Sequence, residues 1–173
     1  MSKRMPAYTR KMFTSARTPL KVVPIQACMG FIGGFAAIGL LGWLTNSSPG
    51  VWLMAPFGAS CVLVFIAWEA PLSQPRNVVG GHLISSAIGL LFVQFQAVHE
   101  GWMALAVGLA IAAMHLTKTT HPPAGADPLV VMAIGSSWSY LLFPVLAGSL
   151  LIVLLAVIMN NLHPDRKYPS FWL

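Results

Sequence analysis

Five stretches of the chain, residues 24–44, 51–68, 77–98, 101–117 and 139–162, contain no Asp, Glu, Lys or Arg. A helix needs about 20 apolar residues to span a bilayer, with about 17 to 25 workable. The first, third and last runs therefore predict long membrane helices, while 51–68 and 101–117 stand near the lower limit. Two places interrupt the pattern. "APFGAS" at 55–60 breaks the second run, and "THPPAGADPL" at 120–129 separates the fourth from the fifth. Proline removes a backbone donor and pushes its predecessor toward extended geometry, so no helix runs smoothly through His121–Pro123. A new helix can start there, because proline is tolerated in a first turn. Pro56 predicts the same kind of start near Gly58–Ser60.

These two segments coincide when the chain is shifted by 67 positions. Pro56 then falls on Pro123, Gly58 on Gly125, Ala59 on Ala126 and Val64 on Val131, and farther out Gly81 falls on Gly148 and Val78 on Val145. The expected fold class is all-α: a multi-pass helical membrane protein of two three-segment repeats, each a long helix, a broken Pro-x-Gly-Ala segment and a second long helix. The repeats cover about 24–98 and 99–163, between a basic arm (1–23) and a C-terminal tail (164–173). If the broken segments cross, the halves are inverted. If they re-enter, four full spans remain and the halves are parallel. Small residues spaced by four, Gly30/Gly34, Gly81/Ser85/Gly89 and Ala104/Gly108/Ala112, predict close helix packing.

Charge favours crossing. Of a net +6, all the excess lies in the arm, where Lys3, Arg4, Arg10, Lys11, Arg17 and Lys21 stand without an acid. Positively charged loops stay cytoplasmic. With six crossings Arg76, Lys118, Arg166 and Lys167 share that side and Glu100 lies outside; re-entrant segments would put Arg76 and Lys118 outside. Localisation in the cell (inner, plasma) membrane with a cytoplasmic N-terminus follows as an expectation. The arm suits anionic membrane lipid as well, and no aromatic interleaving or fold signature suggests nucleic acid. The first run is too long for a signal-peptide core, so a retained helix is expected. Cys28 and Cys61 lack metal-ligand spacing and read as packing residues.

Helix starts expose unpaired N–H groups and partial positive charge. Paired broken helices at corresponding places in two repeats are a sequence pointer to a transport site. Pro56, Gly58, Ala59 and Ser60 on one side, and Thr120, His121, Pro122, Pro123, Gly125 and Asp127 on the other, are the candidate substrate-binding residues. Asp127 reads either as a cap on exposed N–H groups or as a handler of protons or substrate. His121 reads either as a neutral, hydrogen-bonded ring or as a pH-sensitive gate. Arg76 serves either as an interfacial anchor or as an attractor of anions, with Asn77 beside it. His82 lies one turn from Ser86, so both share a helix face that either lines a cavity or packs between helices. No catalytic motif, metal-ligand set or cofactor signature occurs, and no enzyme activity is expected.

Taken together, "PFGAS" at 56–60, "QPRNVVGGHLIS" at 74–85, "THPPAGADPL" at 120–129 and the terminal "NNL" with "RKYPSFW" resemble the HPP family of integral membrane proteins, named for the triplet His121-Pro122-Pro123. That resemblance implies a compact helical membrane protein, usually described with four helices, some of whose plant plastid and cyanobacterial relatives are linked to nitrite transport. The expected function is a transporter or channel for a small monovalent anion, nitrite leading, in a homo-oligomer. The alternatives are a non-transporting scaffold or sensor and a channel for a small neutral solute.

Overall fold

The computed structural model describes residues 7–173, so Lys3 and Arg4 of the basic arm lie outside the described residues. Among the described residues there are seven α-helices and no strand: α1 (Ala7–Arg10), α2 (Pro24–Ser47), α3 (Pro56–Ile66), α4 (Pro75–Gln94), α5 (Glu100–Leu116), α6 (Asp127–Ile134) and α7 (Ala147–Asn161). Arg10, Lys11, Arg17 and Lys21 of the arm are exposed. Proline opens α2, α3, α4 and the 3-10 turns at Pro71–Ser73 and Pro122–Ala126. Its missing N–H is harmless in a first turn, where no helical acceptor precedes it.

Pro24–Ser47, Pro75–Gln94 and Trp138–Asn161 are long and apolar enough to cross a membrane. Trp138–Asn161 combines a 3-10 turn, a wide turn at Leu142–Leu146 and α7. At about 1.5 Å per residue, α3 and α6, of 11 and 8 residues, are too short to cross alone. Irregular chain at 51–54 precedes α3, and at 119–121 it precedes the 3-10 turn Pro122–Ala126 that leads into α6. Trp52 and Leu53 donate their N–H groups to Thr45 Oγ1 at 3.0 and 3.1 Å, while the Thr120 carbonyl accepts from Asn77 Nδ2 at 2.8 Å. Side chains thus satisfy backbone that no helix pairs, the condition for unwound chain at membrane depth. Gly135 ends α6 in the left-handed region (φ 61°), with Ser136 N–H returning to the Val131 carbonyl, a helix stop that suits glycine.

The connections gather at two ends. Arg76 donates to the Thr117 carbonyl at 2.9 Å, Tyr168 O–H to the Ser73 carbonyl at 2.8 Å, and Gln26 shares a cleft with Ala67–Ala70. The start of α2, residues 67–75, 117–121 and the C-terminal tail therefore form one basic end. At the other end Pro49–Val51 share a cleft with Ser136, Ser137 and Tyr140, and Trp138 Nε1 reaches Gln94 Oε1.

Within the bundle α4 packs on α5 and α6, α2 on α3, and α7 on both α2 and α3. Three glycines let backbone come close, with a Cβ at Gly89 lying 2.9 Å from Pro128 Cα. A Cβ at Gly81 would lie 2.9 Å from the Thr119 carbonyl oxygen, and one at Gly148 would lie 2.8 Å from that of Trp52. Ala37, Phe57, Val64, Val145, Ile152 and Ala156 fill the core. Phe31, Phe35, Val62, Ile111, Leu154 and Ile158 point outward, as expected where lipid replaces water around the helices.

Two packing expectations change. On α5 the stripe Ala104/Gly108/Ala112 faces outward, and Ala106, Ala110 and Met114 make the packed face. On α2, Gly33 rather than Gly34 meets Phe65. Small residues occupy more than one face of each helix, so spacing alone did not select the buried one. Cys61 is buried but Cys28 is exposed, and both are free thiols.

Candidate functional site

The helix starts bring together four side chains that are separated in sequence and buried: Ser60 on α3, His82 on α4, His121 before Pro122–Ala126, and Asp127 at the head of α6. Ser60 Oγ lies 2.9 Å from His82 Nε2 and 2.9 Å from His121 Nε2. His82 Nδ1 is 2.8 Å from Asp127 Oδ2, and His121 Nδ1 is 2.8 Å from the Leu72 carbonyl oxygen. Ser86 donates to the same Asp127 Oδ2 at 3.2 Å, and Ser85 to the Ala124 carbonyl. The result is a continuous chain from Asp127 through His82, Ser60 and His121 to Leu72. Burying such groups is costly unless each finds partners, and nearly every polar atom here has one. Asp127 Oδ1 is buried without a partner.

Counting hydrogens orders this chain. The Leu72 oxygen only accepts, so His121 carries its hydrogen on Nδ1, and in a neutral ring its Nε2 accepts from Ser60. Ser60 has one hydrogen to give, so its oxygen accepts from His82 Nε2–H. His82 Nδ1 and Asp127 Oδ2 then hold one proton between them, as neutral acid and imidazole or as carboxylate and imidazolium. Asp127 Oδ2 bonds only His82 and Ser86 and Oδ1 has no partner, so neither oxygen caps a backbone N–H. The connectivity Ser60–His82–Asp127 is that of a hydroxyl, a base and an orienting acid.

At the basic end a cleft of about 410 Å³ is lined by Leu72, Arg76, Asn77, His115, Lys118 and Thr120, with Pro71, Phe171 and Leu173 completing its wall. Arg76 Nε is buried without a hydrogen-bond partner. Leu72 and Thr120 belong both to this wall and to the chain's end at His121, so the cleft adjoins the buried cluster.

The HPP transmembrane-region family matches residues 19–169. The chain belongs to the HPP family. It is similar to a transmembrane protein of Dictyostelium discoideum, 38% identical over 177 residues, which cover 95% of this chain and 57% of that protein. A second Dictyostelium discoideum transmembrane protein is 39% identical over 128 residues, 69% of this chain and 45% of its own length. The HPP chain thus spans about half the length of the curated relatives it matches. No solved structure matches it.

The HPP triplet itself divides between two environments. His121 turns inward to the cluster, whereas Pro122, Pro123 and Ala126 line an apolar groove with Ala55, Pro56, Ala59 and Val62. Gly58 and Gly125 have no neighbour within 4 Å of a would-be Cβ. Of the residues singled out from sequence, Ser60, His82, His121 and Asp127 meet in one cluster, and Arg76, Asn77 and Thr120 meet in the basic cleft. Pro56, Gly58, Ala59, Pro122, Pro123 and Gly125 shape the two breaks without offering a polar side chain to either.

Several contributors escaped the sequence reading. The Leu72 carbonyl carries no side-chain signal. Its loop is held by the tail: Ser170 N–H donates to Gln74 Oε1 at 2.8 Å, while Arg166 donates to the Phe65 carbonyl at 2.9 Å and covers the Trp68 ring. Burial pushes the Tyr168 hydroxyl above its ordinary value of 10.0, which keeps it a donor to Ser73. The loop charges marked Arg166 and the motifs "QPRNVVGGHLIS" and "RKYPSFW" covered Gln74 and the tail, but none of these indicated the contacts.

Proposed function

We propose that this HPP chain conducts or transports a small monovalent anion, with nitrite the leading candidate, between the basic cleft and the opposite end. The observation that carries the reading is a cleft holding Arg76, His115 and Lys118, set against a buried chain of polar side chains in an otherwise apolar bundle. Clefts lined by one sign of charge concentrate the opposite ion. Ionisable groups at membrane depth are costly and mark pathways.

In this reading the chain crosses six times and its halves are inverted repeats. The support is reciprocal. Gly81 approaches Thr119 as Gly148 approaches Trp52, and both residues of the second pair differ by 67 positions from a residue of the first. Likewise α5 packs on α4 as α2 packs on α7. Arg76, Lys118, Arg166 and Lys167 stand at one end, which the loop-charge rule places in the cytoplasm of a cell membrane. Each protomer of a homo-oligomer holds its own pathway. The second reading, a channel for a neutral solute, draws on the absence of an unpaired charge among Ser60, His82 and His121.

Flux of nitrite, nitrate, formate, chloride and urea into liposomes carrying the pure protein tests both. Nitrite should enter, and Arg76→Ala with Lys118→Ala should slow it severalfold, more at low salt than at high. Urea flux alone would remove the anion reading, and no flux from the whole panel would remove transport.

A further inference from the structure

We propose that the basic cleft seats the phosphoryl headgroup of an anionic phospholipid from the membrane leaflet at that end. This goes beyond the transport reading and does not rest on it. The cleft's volume of about 410 Å³ falls within the roughly 300–1,000 Å³ of pockets that hold organic ligands, and a three-atom ion would leave most of it empty. Its lining joins two kinds of surface. Arg76, Lys118 and His115 carry N–H donors, while Pro71, Leu72 and Phe171 form an apolar wall. The donors suit phosphoryl oxygens. The wall suits the glycerol and first methylenes of a lipid and adds nothing for a free ion.

Two features indicate that the cations are kept for a ligand. Lys118 lies in the left-handed region, with φ 58°, a conformation costly for a residue with a Cβ and easy for glycine. Among the described residues Gln96 is the other non-glycine residue there. Lys118 ends α5 through the same pair of hydrogen bonds that ends α6. Lys118 and Thr119 donate to the His115 and Met114 carbonyls as Gly135 and Ser136 donate to those of Met132 and Val131. Glycine holds the position at α6, so the turn itself does not favour lysine. A cation at this place also meets the negative end of α5, but the last helical turn offers unstrained positions for one. The second feature is Arg76. It donates to the Thr117 carbonyl at 2.9 Å, which brings its guanidinium to the turn that carries Lys118. Among the described residues no ion pair joins either cation to an acid. Like charges gathered in this way repel unless an anion lies between them.

The rim of the cleft points to a lipid as the source of that anion. Leu116, next to His115, is 82% exposed, and Trp172, next to Phe171, is 59% exposed. Tryptophan is enriched where headgroups meet water, so the cleft opens at headgroup level. A headgroup seated there would compete with an anion entering by the same cleft.

The test is thermal melting of the full chain in neutral detergent, with phosphatidylglycerol, phosphatidylcholine of the same acyl chains, or inorganic phosphate added. Phosphatidylglycerol should raise the melting temperature by several degrees, saturably and less at high salt, and the other two should raise it little. Lys118→Gly relieves the strained turn, so without lipid it should melt no lower than wild type, yet it should lose most of the lipid-induced rise. A lysine with only a structural role would not separate these two readouts. Arg76→Gln should lose the rise as well. No rise with phosphatidylglycerol overturns the proposal, as does an equal rise with phosphatidylcholine or with inorganic phosphate. A rise undiminished in either folded variant also overturns it and assigns the lipid to the exposed cations of the basic arm. No nitrite is present, so the result stands apart from the flux measurement.

Discussion

The two broken segments match at the 67-residue offset, yet they are built for different work. The first enters α3 directly at Pro56; the second passes through a 3-10 turn at Pro122–Ala126 before α6. Position 60 is Ser and its counterpart 127 is Asp, and position 54 is Met where its counterpart 121 is His. His82 lies between the matched positions, one ring nitrogen toward Ser60 and the other toward Asp127. Met54 meanwhile belongs to the apolar core. The shared Pro-x-Gly-Ala shapes both breaks, and the unshared side chains form the hydrogen-bonded chain.

The largest effects should come from the shared scaffold. Gly81→Val and Gly148→Val each force a side chain against a backbone carbonyl, and overpacking of this kind costs about 1–3 kcal/mol or more. Thermal melting in detergent should show both variants destabilised to a similar degree. If one glycine tolerates valine and the other does not, the two breaks are not structurally equivalent.

Smaller losses should follow at the unshared positions. Asp127→Ala strands His82 Nδ1 in the core and should cost about 1–3 kcal/mol, whereas Asp127→Asn, which can donate to the same nitrogen, should cost less. Equal melting temperatures for the two variants would mean that His82 does not depend on Asp127 for a partner.

The smallest effect concerns the tail. The raised Tyr168 hydroxyl favours the folded state while it stays protonated. That contribution is complete below its ordinary value of 10.0 and declines as pH rises beyond it. Tyr168→Phe removes the donor to Ser73 and should cost about 1 kcal/mol at neutral pH. The wild-type advantage over Tyr168→Phe should shrink above pH 10. An advantage that grows instead would place the tyrosine elsewhere.

Much of the architecture was legible because in a bilayer both length and charge are restrictive. Uncharged runs located the long helices, prolines located their starts, and the offset paired the breaks. Legibility was lower where a helix offers several similar faces. On α5, Ala, Gly and Ala at 104, 108 and 112 looked as ready to pack as Ala106, Ala110 and Met114, which do. Ser86 was visible beside His82 through its one-turn spacing, but nothing local connected either to Asp127, 45 and 41 residues away.

The sequence by itself determined that this is a membrane-embedded helical chain of the HPP family, broken twice at matched places, with its basic residues concentrated toward one side. Hydropathy, proline geometry and the cost of buried charge act locally, so they can be read along a line. Tertiary structure alone decided that Ser60, His82, His121 and Asp127 form one chain, that the Leu72 carbonyl ends it, and that the prolines of the breaks face an apolar groove instead. Hydrogen bonds of 2.8–2.9 Å depend on how helices cross. That is set by which small residues let backbones meet, at Gly81, Gly89 and Gly148, and no spacing rule along the chain contains it.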